Sequence, residues 1–280
     1  MAGQNVRRTR VAPRTEGLIT LRVVRKAQVT PHLMRITLGG GDAADFVPMG
    51  RDQWFRLFLP VAGDASLSRL PGKLSTVSYL RYLTISRTER PILRNYTVRA
   101  HRPDGPEGPE LDVDFVLHGS AADGTAGPAS AWAEQCRPGA AVALLDEGIA
   151  FMPPDGVADV RLVADETGLP AVAAILEGLA ADVTGEALVE VPTAADRLDL
   201  ATPSAVAVQC VVRDDPPATP GVAALAALSA RPVPTKRFYG WAVGEQGLAT
   251  GARRHWVANG VAKDDITFVG YWRAGKKDAH

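Results

Sequence analysis

The chain carries two rhythms of apolar and polar residues. From Gly17 to about Gly139 short runs of strand type follow one another. Residues 18–24 are rich in β-branched side chains. Residues 33–38 alternate and stop at Gly39-Gly40-Gly41, and residues 54–59 stop at Pro60. Residues 96–99 precede a Pro/Gly loop at 103–109. Leu111, Val113, Phe115 and Leu117 then alternate with Asp112, Asp114 and His118. Period-two runs between Gly and Pro predict an antiparallel barrel or sandwich. One helix is predicted to follow, from Pro128 to about Gln135.

From Val160 the rhythm changes. Apolar strand-like runs at 160–164, 187–191, 206–212, 238–243 and 266–272 alternate with helical spacing at 171–179, 222–228 and 248–257. Alternating strands and helices predict a mostly parallel sheet covered by helices. The Pro/Gly linker Met152-Pro153-Pro154-Asp155-Gly156 separates the two patterns. The expected division is a β-barrel domain at 15–153 and an α/β domain at 157–275, with flexible tails at 1–14 and 276–280. Residues 214–221, with Pro216, Pro217 and Pro220, read as a connector.

Charge and composition narrow the function. The 280 residues hold 31 Lys+Arg and 31 Asp+Glu, so no global field draws the chain to nucleic acid or an anionic membrane. The two cysteines, Cys136 and Cys210, are too few for a thiolate Zn or Fe–S site, so no metal site is expected. So Cys-poor a chain reads as cytoplasmic. Arg7, Arg8, Arg10 and Arg14 are followed by no apolar run, which disfavours a signal peptide. No stretch has the length to span a bilayer, so membrane insertion is not expected.

Four segments carry candidate chemistry. In Arg94-Asn95-Tyr96-Thr97, Arg94 and Tyr96 share one strand face and Thr97 takes the other. A guanidinium there can fork onto a diphosphate, a phenol can lie on a flavin ring, and Thr97 offers a hydroxyl and an N–H to the ring edge. Alone, an ordinary strand with an exposed Arg and a packed Tyr explains these four residues better. His118-Gly119 ends the alternating strand, and Gly127-Pro128-Ala129-Ser130 opens a helix. The free N–H groups of Ala129 and Ser130 suit a diphosphate, although an ordinary capped helix fits as well.

Asp165-Glu166-Thr167-Gly168-Leu169-Pro170 turns from strand to helix where open α/β sheets bind nucleotides. It lacks the Gly-rich fingerprint, and Asp165 or Thr167 acting as a helix cap is compatible with either role. Gly270-Tyr271-Trp272-Arg273 ends the last strand, where an aromatic such as Trp272 can cover a flavin or nicotinamide ring, or simply close a core strand.

Taken in order, these segments, with Asp112 to Gly119, Gly127 to Ala133 and Trp241 to Glu245, resemble the siderophore-interacting protein family of ferric-siderophore reductases. The likeness spans about residues 18 to 275. It implies a six-stranded antiparallel barrel that binds FAD, followed by a ferredoxin-reductase-like α/β domain that receives NADPH or NADH. It also implies that Arg94, Asn95, Tyr96, Thr97, His118, Gly119, Ala129 and Ser130 contact the flavin cofactor. The acid–threonine turn of the family maps to Asp165 and Thr167. The chain departs from the family at Ala131, where a basic residue is common. It departs again at 146–151, where a Gly-rich turn is common, and at 67–91, a loop of unusually ordered pattern.

The resemblance implies a division of labour among electrons. A nicotinamide gives a hydride and ferric iron takes one electron, so a flavin belongs between them. No residue need act as nucleophile or general base, and no such arrangement stands out. The expected partner is a ferric siderophore, an anionic iron chelate, so a local basic pocket is expected. Arg56 is the first candidate, then Arg273 and Lys276. For a donor with a 2′-phosphate, Arg197 and Arg213 are the basic residues to watch. NADPH is favoured on the resemblance. A monomer is expected. Two other functions fit the same residues: a flavin reductase or electron-transfer partner of another enzyme, and a non-catalytic siderophore-binding protein.

Overall fold

A computed structural model describes residues 10–61, 63–70, 82–86, 88–203, 205–215 and 218–275. Arg7, Arg8, Pro216, Pro217, Lys276, Lys277 and the stretch 71–81 lie outside them. The chain forms two compact units. One joins Ala12–Met49 to Gln53–Gly148, and the other joins Gly50–Asp52 to the chain from Ile149 onward.

The first unit is a seven-stranded antiparallel sheet in the order β4-β3-β7-β1-β2-β6-β5. Its strands are β1 (Leu18–Thr30), β2 (Leu33–Gly39), β3 (Trp54–Leu59), β4 (Ile92–Thr97), β5 (Ala100–Gly105), β6 (Gly108–Val116) and β7 (Ala141–Gly148). The first half of β1 pairs with β7 and the rest mainly with β2, with register shifts at Val23/Arg25 and Gln28/Thr30. Such bulges bend a strand and raise its twist, so one strand serves two neighbours that diverge. Tyr96 of β4 packs on Phe115 of β6, so the sheet curls until an edge strand meets one from the far side.

Inward residues Leu21, Ile36, Leu38, Phe55, Leu57, Leu111, Val113, Phe115 and Leu144 fill the core. A second cluster joins Phe58, Leu67, Tyr82, Ala143 and Leu145, so the described parts of 67–91 pack onto the sheet. Seven strands pair where six were expected. Residues 103–109 are no free loop: β5 and β6 form a hairpin with Gly105 opposite Gly108. The helix α1 (Pro128–Gln135) lies where its Pro start predicts.

The second unit is a five-stranded parallel sheet in the order β10-β9-β8-β11-β12. Its strands are β8 (Asp159–Ala164), β9 (Thr184–Val191), β10 (Ala205–Val212), β11 (Tyr239–Glu245) and β12 (Ile266–Trp272). Helices α2 (Leu169–Glu177), α3 (Val222–Ser229) and α4 (Gln246–Ala258) connect them. All five strands matched the apolar runs. The central strands β8 and β11 are buried on both faces, as a helix-covered parallel sheet requires. Gly240 lets α4 approach, since a Cβ there would lie 2.8 Å from the Trp256 ring. The strand order reverses between β8 and β11, and that switch point is where open α/β sheets bind ligands, outside the carboxyl ends.

Candidate functional site

In the first unit the flavin-type residues come together. β4 lies at the sheet edge and pairs with β3 through Trp54–Thr97, Phe55–Tyr96, Arg56–Asn95 and Leu57–Arg94. Arg94 and Tyr96 share a face. Thr97 is buried on the other and Asn95 is exposed. The Tyr96 ring sits 4.2 Å from Phe115, and Phe115 sits 5.6 Å from Trp132 on α1. This chain of rings ties the β4 motif to the helix start, each pair contributing about 1 kcal/mol beyond area burial. Burial pushes the Tyr96 phenol up, against the pull of Arg94, so it stays protonated and able to donate. Arg94 is half-buried and donates to the Leu93 carbonyl at 2.8 Å.

His118 and Gly119 follow β6. Gly119 has φ +67, and a Cβ there would lie 2.6 Å from the Thr125 carbonyl, so only glycine closes this turn. The turn is held by the Ser120 N–H donating to Thr125 Oγ1 at 2.9 Å. The His118 N–H donates to Ser130 Oγ at 3.1 Å, which fixes the start of α1 beside the end of β6. Gly127 caps α1 with no side-chain bond and Pro128 opens it. The N–H groups of Ala129 and Ser130 have no acceptor inside the helix. The donor set therefore fits a flavin dinucleotide: a guanidinium and helix-start N–H groups for the diphosphate, a half-buried ring for the isoalloxazine, and a glycine where the backbone turns back tightly.

In the second unit Asp165, Thr167 and Trp272 come together. Asp165 follows β8 and is fully buried. It accepts from the Thr167 N–H at 2.9 Å and hydroxyl at 2.5 Å, from the Glu245 N–H at 2.6 Å and from the Trp272 indole N–H at 3.2 Å. Burial first, and then the neighbouring charge of Glu166, push its carboxyl up to about 6. Thr167 spends its hydroxyl on Asp165, and α2 begins at Leu169, after Gly168, without a side-chain cap. Gly244, with φ +116, was not singled out from the sequence. A Cβ there would lie 2.5 Å from the Asp165 carboxyl carbon. A glycine inside a strand signals such close approach, and that was the available clue.

The basic candidates divide sharply. Arg56 is paired with Glu147 at 2.9 Å, so its charge is shared rather than free. Arg213 is buried between Glu166 at 2.6 Å and Glu190 at 2.8 Å, and is spent on these carboxylates. Glu190 also accepts from the Ala224 N–H at 2.9 Å. Arg273 is exposed and makes no ion pair among the described residues, and Lys276 lies outside them. Arg197 is also exposed and unpaired among the described residues. Its neighbour Asp196 is buried, accepting from the Thr193 N–H and hydroxyl in a capping box. No helix among the described residues is long and apolar enough to cross a membrane.

Known proteins share these features along the chain. Residues 22–150 match the model of the siderophore-interacting FAD-binding domain, and residues 157–275 match that of the siderophore-interacting protein. The chain is 30% identical to the ferric vibriobactin reductase ViuB of Vibrio cholerae over 263 residues, 91% of this chain and 89% of that one. It is 38% identical over 193 residues to an uncharacterized protein of Mycobacterium tuberculosis, covering 68% of this chain. The match spans 64% of that mycobacterial relative, just under two thirds of its length. The crystal structure of the siderophore-interacting protein SipS from Aeromonas hydrophila superposes with a TM-score of 0.72 at 31% identity, covering 94% of each chain.

Proposed function

The chain belongs to the siderophore-interacting protein family, and from that premise we propose that it is an NAD(P)H-dependent ferric-siderophore reductase working through FAD. The observation that carries this reading is the grouping of Arg94, Tyr96, Thr97, Gly119 and the α1 start in one unit through the Tyr96–Phe115–Trp132 rings. FAD held by these residues would supply the conversion between two-electron hydride donation by a nicotinamide and one-electron reduction of iron.

The chain's own residues bind, orient and exclude. Arg94 and the Ala129 and Ser130 N–H groups hold the diphosphate. Tyr96 lies against the ring, and Thr97 donates to its reactive edge, with Asn95 and His118 flanking. The nicotinamide donor enters at the carboxyl edge of the parallel sheet, beside Thr167 and Trp272. No residue is needed as acid, base or nucleophile.

The substrate is an anionic ferric chelate. Arg56 becomes available to it only when the substrate competes with Glu147. Fe(II) binds hard oxygen ligands weakly, so reduction itself releases the metal. For the donor, Arg197 is the basic residue between β9 and β10, exposed and in no ion pair among the described residues, and it favours NADPH. We place the reaction in the cytoplasm and expect a monomer. The test is to load the protein with FAD and follow Fe(II) capture by a ferrous-specific chelator with NADPH and a ferric siderophore. Sustained capture is expected. A folded protein that takes up no FAD contradicts the reading.

A further inference from the structure

Asp165 has no capacity left for a ligand. A carboxylate offers about four lone-pair sites. Two N–H groups, one hydroxyl and one indole N–H already occupy them, from Thr167, Glu245 and Trp272. The side chain is fully buried, and Gly244 gives up its own side chain to make room for it. These partners lie at the ends of three strands, β8, β11 and β12, on both sides of the switch point. Glu245 adds a second clasp, accepting from the Ala274 N–H at 3.1 Å and capping the Gly247 N–H, so the chain after Trp272 is tied to the start of α4. Trp272 itself is only half-buried and closes β12 opposite Glu245. A half-buried indole whose N–H is tied down keeps one orientation.

In this fold the adenosine ribose lies beyond the end of the second strand, here β9, so the nicotinamide end points toward β11 and β12. We infer that Asp165 is a positioning residue that fixes the indole of Trp272 at the carboxyl edge, and that Trp272, not Asp165, touches the nicotinamide end of the donor. The inference rests on the reductase reading.

The test is a double-mutant cycle on the FAD-loaded protein, read by NADP⁺ affinity, NADPH KM and near-UV circular dichroism. Trp272→Phe keeps an aromatic ring and removes the N–H. Asp165→Asn keeps one acceptor oxygen for four donors, so the indole is released. Each variant is expected to weaken NADP⁺ binding and raise the NADPH KM about 3- to 10-fold, the net size of one ordinary hydrogen bond. FAD content should stay unchanged, and the double variant should be no worse than either single one, because one interaction is lost in all three. Without ligand, Asp165→Asn should change the indole dichroism of the Trp272 variant's missing band and of no other. Additive losses, or a Trp272→Phe variant with wild-type NADP⁺ affinity, overturn the inference, and the latter decides even if Asp165→Asn does not fold. A wild-type protein that binds NADP⁺ but reduces no ferric chelate refutes the reductase reading while the cycle is still read by binding. One that binds no dinucleotide refutes both.

Discussion

The two units differ in where they keep the cations that pair with their buried carboxylates. In the first, charge lies along the outer face of the sheet. The buried carboxylates Glu110, Asp112 and Asp114 of β6 meet Arg35 of β2, Arg102 of β5 and, across β2, Arg25 of β1 at 2.6–3.0 Å, and these guanidinium side chains are 28–47% exposed. The residues assigned to the flavin stand apart from that ladder. In the second unit the cation is buried as well, Arg213 between Glu166 and Glu190, and the described donors around Asp165, Glu166 and Glu190 are committed. Groups whose hydrogen-bonding capacity is committed in this way hold a scaffold rather than bind a ligand.

The largest effect should come from Arg213. Arg213→Met leaves Glu166 and Glu190 buried without their cation and is expected to cost about 3–5 kcal/mol. Arg102→Met, in the half-exposed ladder, should cost about 1 kcal/mol or less, since Arg25 still serves Glu110 and Thr37 still serves Asp112. Urea unfolding of both variants measures the contrast, and equal losses would break it. Next comes Arg94→Ala, which should weaken FAD binding about 10- to 100-fold with little change in unfolding, as expected for a charge-assisted fork onto a diphosphate. Titration of the FAD-free protein with FAD reads it.

A pH effect follows from Asp52, which is buried and accepts from the Ala150 and Phe151 N–H groups at 3.0 and 2.8 Å. Burial pushes its carboxyl up to about 6, against a usual value of 3.8. The folded state thus holds a proton that the unfolded state has released. This stability is fully present below about pH 4 and is lost as pH rises through about 6. Asp52→Asn should remove that slope and raise stability at pH 7 on the order of 1–3 kcal/mol. Thermal melts of both proteins from pH 4 to 8 test it, and parallel curves would show that Asp52 does not titrate there. The smallest effect is at Arg197. Arg197→Ala should lower the preference for NADPH over NADH about fivefold, the size of one exposed charge–phosphate contact. An unchanged ratio of kcat/KM values would move 2′-phosphate recognition elsewhere.

Much of the architecture could be read from local pattern, and the reasons are physical. Pro128, Pro170 and the apolar runs mark α1, α2 and all five parallel strands because helix starts and helix-covered strands leave contiguous signals. The central strand β7 was not read. It is buried along its whole length, so Ala141–Gly148 shows no alternation, and its Ala, Leu and Glu favour helix locally. The pairing of Arg56 with Glu147 and of Arg213 with Glu166 spans 91 and 47 residues respectively. Only strand register brings those partners together, and register leaves no mark at either position alone. The family was legible in an ordered set of segments, while the commitment of Asp165 to Trp272 and Glu245 emerged only from the sheet edge.

The central claim is that this chain carries electrons from a nicotinamide through FAD to ferric iron. The most direct measurement is anaerobic. The FAD-loaded protein is mixed with NADPH, the flavin absorbance is followed, and a ferric siderophore is then added. The flavin absorbance should bleach with NADPH and return as the ferric chelate is consumed and Fe(II) appears. Bleaching with no return on addition of the siderophore, or no bleaching by NADPH or NADH, would contradict the account.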